Sequence, residues 1–203
     1  LNLVSINDYD YICKLDLDLR IPNQYFETVL NEFDREANLG TYSGKPYSLR
    51  NGKRTMEPTG DDFSVGMIKM YRVSAFKDIG GFARGVMWDG IDCHMCRFKG
   101  WEAKSSNEVK LQFDHLRIMG SSQKSIFEGK RRHGYGQYYM GTSLIYFFVS
   151  CVYRVFEYPI IGGAINSMYG YLVSYFKQNQ RFGTKEFHKF VKSYQWRVLF
   201  TGR

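Results

Sequence analysis

Leu15–Asp16–Leu17–Asp18–Leu19–Arg20–Ile21–Pro22 sets two carboxylates two residues apart, where an apolar run gives way to a helix start. Tyr11, Ile12, Cys13 and Leu15 predict a short strand ahead of it. Pro22 suits an early helical position, with Phe26, Val29, Leu30 and Phe33 on one face behind it. Carboxylates at the C-terminal end of a strand are oxygen ligands for a hard divalent cation, and ligands bind in such crevices of α/β sheets. Taken alone, the pair reads first as a solvated loop with two ordinary aspartates. The rest of the chain decides between the two.

At 203 residues the chain can bury a real core and is expected to form one domain with an appendage. Aromatics reach 17%, with 16 Tyr and 16 Phe, which is high for an ordinary soluble domain. The net charge of +8 is unevenly placed: after Phe176 stand Lys177, Arg181, Lys185, Lys189, Lys192, Arg197 and Arg203 against the single acid Glu186. A basic tail suits an anionic partner, lipid headgroups or nucleic acid, while the near-neutral body argues against a nucleic-acid-binding core. Of Cys13, Cys93, Cys96 and Cys151, only Cys93 and Cys96 form a C-x-x-C, and no second pair completes a zinc site. Buried, reduced thiols are expected. The sequence opens at Leu1 rather than Met, immediately before a strand, and an upstream portion is expected.

Residues 38–62, rich in Gly, Ser, Pro and charge, read as a long connection, a length that is often functional. Its Lys45, Arg50, Lys53 and Arg54 suit a phosphate or a solvated loop alike. Residues 65–72 (VGMIKMYR) predict a strand, followed by a short helix from Ser74 that ends at Gly80–Gly81. In WDGIDCHMCRFKGW (88–101), Ile91, Met95 and Phe98 share a helix face and Gly100 closes it. Asp89 and Asp92 near its start gain from the helix dipole whether or not they do chemistry. Val109, Leu111 and Phe113 alternate with Lys110 and Gln112, predicting a strand that delivers His115 to its end. Lys130, Arg131 and Arg132 form a basic cluster between glycines. From His133 to Tyr153, and again from Tyr158 to Phe176, no Asp, Glu, Lys or Arg occurs. Each stretch is about a bilayer span in length, and aromatics with basic flanks fit an interfacial arrangement; a buried helical pair is the alternative.

Asp16/Asp18, Asp89/Asp92 and His115 thus fall, in this order, at strand ends or helix starts. The sequence resembles the glycosyltransferase family 2 enzymes of the GT-A fold, from their D-x-D motif onward. The residues that carry the resemblance are KLDLDLRIP (14–22), VGMIKMYR (65–72), IGGF (79–82), WDGIDCHMCRFKGW (88–101), HLRIMG (115–120) and KRRHGYGQYYMG (130–141). It covers roughly residues 8–150. It implies an α/β fold, the C-terminal part of a GT-A (Rossmann-like) nucleotide-sugar transferase domain with a helical, membrane-associating appendage. The divisions expected are 1–128 for the partial catalytic domain, 129–176 for the apolar aromatic segment and 177–203 for the basic tail.

The resemblance also implies roles. Asp16 and Asp18 would meet the ribose and the diphosphate-bound Mg²⁺ or Mn²⁺, with His115 closing the metal site. Asp89 would be the general base that deprotonates an acceptor hydroxyl, with Asp92 second because Trp88 stands where the family carries Glu. Arg117, Lys130, Arg131 and Arg132 would steady the leaving diphosphate, and Gly66 and Trp88 would line the acceptor side. The activity implied is metal-dependent, inverting transfer of a hexosyl group from a nucleotide sugar, a UDP-sugar by expectation, to a saccharide or lipid-linked acceptor. Its setting would be cell-surface polysaccharide or glycolipid synthesis at the cytoplasmic face of a membrane, with no nucleic acid as partner. The physics of the reaction agrees: a diphosphate leaves only when its growing charge is neutralised, and the attacking hydroxyl needs a base. The nucleotide-binding half of the family plan would lie upstream of Leu1, so the 203 residues alone are expected to be inactive. The rival is a non-catalytic, membrane-peripheral basic protein whose acidic turns are structural.

Overall fold

The computed structural model describes residues 5–50, 52–116, 125–156 and 159–201. In chain order these form β1 (Tyr11–Leu15), β2 (Leu19–Arg20), α1 (Tyr25–Arg35), β3 (Leu39–Arg50), β4 (Lys53–Met56), β5 (Ile68–Arg72), α2 (Val73–Asp78), α3 (Trp88–Phe98), β6 (Glu102–Ser106) and β7 (Gln112–His115). Helices α4 (Ile126–Met140), α5 (Leu144–Tyr153), α6 (Gly162–Phe176) and α7 (Lys185–Thr201) complete the order. The chain divides into two units, residues 1–84 with 88–118 and residues 85–87 with 119–203.

The first unit is a mixed α/β arrangement with a curled, seven-stranded sheet among the described residues, ordered β1-β5-β3-β7-β2, with β4 and β6 also paired to β3. Strand β3 is its spine, and it corrects the expectation of a long connection over 38–62. Its first half lies parallel to β6 (Ser43 opposite Ser105, Gly44 opposite Ser106), and its next residues lie parallel to β7 (Lys45 opposite Gln112). At the handover a Cβ on Gly44 would stand 1.7 Å from the Leu111 carbonyl oxygen, so only glycine fits. The strand hides in the sequence because its buried positions are polar. Thr41 donates to the Met70 carbonyl (3.0 Å), and Ser43 accepts from the Val65 amide (2.9 Å). Lys45, 1% exposed, donates to the Thr59 carbonyl (2.9 Å) and pairs with Asp61 (3.0 Å).

Around this spine pack Tyr25, Val29 and Phe33 of α1, spaced four residues apart, with Leu39, Ile68, Leu111 and Phe113. The buried stripe of α1 therefore runs through Tyr25 rather than Phe26, which is exposed; the helix begins at Tyr25 after a turn in which its amide donates to the Pro22 carbonyl. Arg72 closes α1 by donating to the carbonyls of Phe33 (2.7 Å) and Glu36 (3.3 Å). Residues 109–111 are a turn of 3-10 helix with Val109 exposed, so the strand expected there starts only at Gln112.

In the second unit α4 and α6 cross at backbone distance. A Cβ on Gly134 would meet the Ser167 carbonyl oxygen at 1.8 Å, and one on Gly170 the Arg131 carbonyl oxygen at 2.1 Å. The glycines of these apolar stretches are thus packing residues. Tyr138, Phe147, Cys151 and Tyr171 form the core, with the Phe147 and Tyr171 rings stacked at 5.0 Å. The apolar stretch 133–153 is broken at Gly141, left-handed at φ 94°, which caps α4 before Ser143 starts α5. Among the described residues no helix is long and apolar enough to cross a membrane. Most of the basic tail is helix α7, which buries Phe187, Val191 and Tyr194. Helix α5 turns Ile145, Phe148 and Val152 outward, each 56–57% exposed.

Two stability predictions follow from the first unit. Gly44→Ala is expected to cost about 3 kcal/mol or more, because the clash is with backbone rather than a movable side chain; a variant with an unchanged urea midpoint would refute it. His94 of α3 is 3% exposed, and burial, aided by Arg97 and Lys69, lowers its pKa from 6.5 to about 3. The unfolded chain takes up that proton below about pH 6.5 and the folded chain refuses it until about pH 3, so stability is full above the window and declines through it. By about pH 5 the loss is about 2 kcal/mol, and His94→Gln is expected to flatten the dependence of the urea midpoint on pH.

Candidate functional site

Strand β1 delivers the two acids of the D-x-D to different partners. Where the strand ends, the Asp16 amide donates to the Met67 carbonyl (2.8 Å). The Asp16 carboxylate is paired with Lys14, whose ammonium lies 5.4 Å from the centre of the Trp88 ring. Leu17 projects outward, 97% exposed. Asp18 turns toward β7: its Oδ2 lies 3.7 Å from His115 Nε2. That approach is set by the backbone, since Leu19 lies opposite His115 across β2 and β7, and the Leu116 amide donates to the Asp18 carbonyl (3.0 Å).

Helix α3 supplies the third acid. Trp88 packs edge-on to Phe82 (5.5 Å), which packs against Phe76 (4.8 Å) and Tyr71 (5.7 Å). Lys69, fully buried, donates to the Asp89 carbonyl (2.7 Å) and to Cys93 Sγ (3.3 Å), pinning the helix start to β5. The half-buried Asp89 carboxylate lies against Gly66, where a Cβ would come within 3.1 Å of its Oδ2 and 2.9 Å of the Trp88 ring. Gly66 precedes Met67, whose carbonyl holds Asp16, so Asp16, Trp88 and Asp89 meet at one short segment. Asp92 is different: it is 1% exposed and accepts a hydrogen bond from the Tyr71 hydroxyl (2.6 Å). Burial raises its pKa above the usual carboxylate range, against the pull of Lys69 and of that hydrogen bond. Asp89, not Asp92, is the acid open to solvent. The C-x-x-C pair lies in the same buried layer, with the Cys96 thiol pushed up to about 12 by burial.

On the far side of His115 stands Glu57, which the sequence reading passed over. Its side chain is 1% exposed, and Oε1 lies 3.6 Å from His115 Nδ1. Neither Glu57 oxygen, nor His115 Nδ1, nor the buried Ser48 hydroxyl has a hydrogen-bond partner among the described residues. The signal for Glu57 was present: it is the single acid between Glu36 and Asp61, in a stretch with four basic residues. A cavity of about 260 Å³ opens beside His115, lined also by Arg20, Tyr47, Ser48 and Arg54.

To a divalent ion the described residues would offer two donors here rather than a cage. Adjacent ligands at about 2.1 Å from an octahedral ion lie about 3 Å apart. The 3.7 Å between Asp18 Oδ2 and His115 Nε2 is about 0.7 Å wider than that spacing, so the two side chains would have to draw together to share an ion. Among the described residues no group of three or more His, Cys, Asp or Glu side chains is arranged to hold a metal. An ion bound at Asp18 and His115 would draw its remaining ligands from phosphate and water, as Mg²⁺ commonly does.

The remaining expected residues are placed elsewhere. Arg117 lies outside the described residues. Lys130, Arg131 and Arg132 stand on α4 in the second unit, and Arg131 donates to Asn166 Oδ1 (2.8 Å) and lies over the Tyr169 ring. Lys45 is buried on Asp61 and cannot attend a phosphate. Arg54 is paired with Asp114 (2.7 Å) and stacked on Tyr47.

No protein-family model matches the chain, and no curated protein matches it. Among solved structures, the mannosyltransferase PcManGT from Pyrobaculum calidifontis, in complex with GDP-Man and Mn²⁺, is similar over 97% of this chain, at 9% identity and a TM-score of 0.46. The chain spans 58% of that protein's length.

Proposed function

We propose that this chain carries the acceptor and metal side of an inverting glycosyltransferase that moves a sugar from a nucleotide sugar to a hydroxyl. The observation that carries the reading is the meeting, within the first unit, of the D-x-D loop with both an imidazole and a second, reachable carboxylate. Asp18 faces His115, and the segment Gly66–Met67 joins Asp16 to Trp88 and Asp89. In this reading Asp89 takes the proton from the acceptor hydroxyl as its oxygen attacks the anomeric carbon, and the bond from that carbon to the diphosphate breaks in line. Asp18 and His115 would hold Mg²⁺ or Mn²⁺, and such an ion would neutralise charge on the leaving diphosphate. Gly66 leaves room at the acceptor side, Trp88 offers a flat face for a sugar ring, and Lys14 keeps a cation beside Asp16. The donor is a nucleotide sugar, with a UDP-sugar the first to try, and the acceptor a saccharide or a lipid-linked saccharide.

The second unit suits a membrane surface. Ile145, Phe148 and Val152 form an outward apolar face on α5, and the exposed Lys185, Lys189 and Lys192 on α7 suit anionic headgroups. This is peripheral attachment, at the cytoplasmic face.

In the full protein, Asp89→Asn is expected to lower sugar transfer about 10²- to 10⁴-fold while leaving donor affinity near wild type. Transfer is expected to stop on chelation and return with Mn²⁺ or Mg²⁺. Turnover retained in Asp89→Asn sinks the assignment of the base, and transfer indifferent to chelation sinks the metal. On the membrane side, the protein is expected to co-sediment with vesicles containing about a third anionic lipid, and Phe148→Asp with Val152→Asp to release it. Equal recovery of wild type and variant from the vesicles would remove this face from the interaction.

A further inference from the structure

Beside the candidate metal pair, Glu57 buries a carboxylate that accepts no hydrogen bond from the described residues. Strand β4 ends at Met56, and the Glu57 amide donates to the Pro46 carbonyl (2.9 Å), continuing the pairing of β4 with β3 by one residue. Alternation along the paired strands puts Pro46 and Ser48 of β3, Glu57 and His115 on one face of the sheet. On that face the Glu57 side chain is 1% exposed and His115 9% exposed. A carboxylate so deeply buried normally accepts several hydrogen bonds. Among the described residues neither of its oxygens has one, and its near neighbour is His115 Nδ1 at 3.6 Å, which has no hydrogen-bond partner there either.

The other face of the imidazole is already directed. His115 Nε2 points to Asp18 Oδ2, so the ring lies between two carboxylates, one on each nitrogen. A neutral imidazole carries one N–H and one lone pair, and the hydrogen bond at one nitrogen decides which is which. A carboxylate at Nδ1 retains the proton there and leaves the lone pair on Nε2, the form in which histidine ligates a metal. The oxygen–nitrogen gap is a few tenths of an ångström beyond a hydrogen bond, a distance that a small rotation of either side chain closes. Because Glu57 is held away from Asp18 by the ring itself, it is not a third ligand, which agrees with the absence of a three-donor cluster among the described residues.

We propose that Glu57 is a positioning residue: it fixes His115 as the Nδ1–H tautomer, so that Nε2 and Asp18 present a ready pair of donors to a divalent ion. This rests on Asp18 and His115 being the metal ligands. A residue kept for that purpose has a distinctive signature. Replacing an unsatisfied buried carboxylate by an apolar side chain of similar size is neutral or favourable for folding, yet removing an outer-shell partner weakens metal binding about 10- to 100-fold.

The test uses the full protein, wild type and Glu57→Met, with Mn²⁺ alone as the probe, followed by electron paramagnetic resonance of the free ion. In parallel, the ring nitrogens are read by ¹⁵N NMR in Mg²⁺ buffer, with His115→Gln to assign the signal among the four histidines. The expected result is a wild type in the Nδ1–H form. Glu57→Met should melt at the same or a higher temperature, lose that tautomer, and bind Mn²⁺ about 10- to 100-fold more weakly. Wild-type His115 in the Nε2–H form, or a Glu57→Met protein with unchanged tautomer and unchanged Mn²⁺ affinity, overturns the proposal. A wild type that does not bind Mn²⁺ at all overturns the metal reading of Asp18 and His115. The nitrogen signals still decide, in that case, whether Glu57 sets the ring.

Discussion

The first unit depends on a contact that no side chain could make. At Gly44, strand β3 passes so close to the Leu111 carbonyl that any Cβ would overlap it. There β3 stops pairing with β6 and starts pairing with β7. A single strand can serve four neighbours only if it curls, and curling brings backbone against backbone at the inside of the bend. The Tyr25 hydroxyl accepts the Gly44 amide hydrogen bond there (2.7 Å), so helix α1 is anchored at the same point. The position of β7, and with it that of His115, follows from this close approach.

What β3 holds on its other side is the segment 57–66, and it holds it with polar groups. Lys45 reaches the Thr59 carbonyl and Asp61, Ser43 receives the Val65 amide, and from the neighbouring β6 the Ser105 hydroxyl donates to the Gly60 carbonyl (3.1 Å). A buried lysine tolerates no loosening of such a segment, because losing its partners would strand a charge at a cost of about 3–5 kcal/mol. The two ends of the segment are Glu57, beside His115, and Gly66, beside Asp89. Both parts of the candidate site therefore hang from one anchored stretch, and its rigidity comes from the same buried charge that made the region look like a solvated loop.

This also explains what could and could not be read in the sequence. The strand 11–15, the acidic turn after it and the helix 88–98 are legible because their apolar residues recur at the spacing of their element. Strand β3 is not, since Gly, Thr, Ser, Lys and Pro occupy positions that are buried by hydrogen bonding and close approach rather than by hydrophobicity. Alternation misled at Val109, which is exposed on a 3-10 turn, because a three-residue pattern cannot distinguish a strand from the turn that leads into it. Asp16, Asp18, Asp89 and His115 were singled out by type and by position at element ends, a local signal. Glu57 was missed because its meaning lies in its distance to His115, some sixty residues away in the chain. Likewise the absence of charge over 133–153 and 158–176 gave no sign that Gly134 and Gly170 are what lets α4 and α6 touch.

The difference between Asp89 and Asp92 shows how the fold assigns chemistry to like residues. They lie three apart on one helix, and the sequence ranked Asp89 first with Asp92 second. Asp92 points into the layer of Tyr71, Lys69 and Cys93, where its carboxylate is occupied by a tyrosine and denied to solvent. Such a group resists losing its proton and has no path to solvent. Asp89 is one turn nearer the helix start, and there the opposing strand supplies Gly66, whose missing side chain is the space the carboxylate and the Trp88 ring occupy. Access at Asp89 is thus created by an absence on β5's approach, just as the sheet's bend is created by an absence at Gly44. In both places glycine lets another group come near: the Leu111 carbonyl at Gly44, and the Asp89 carboxylate with the Trp88 ring at Gly66.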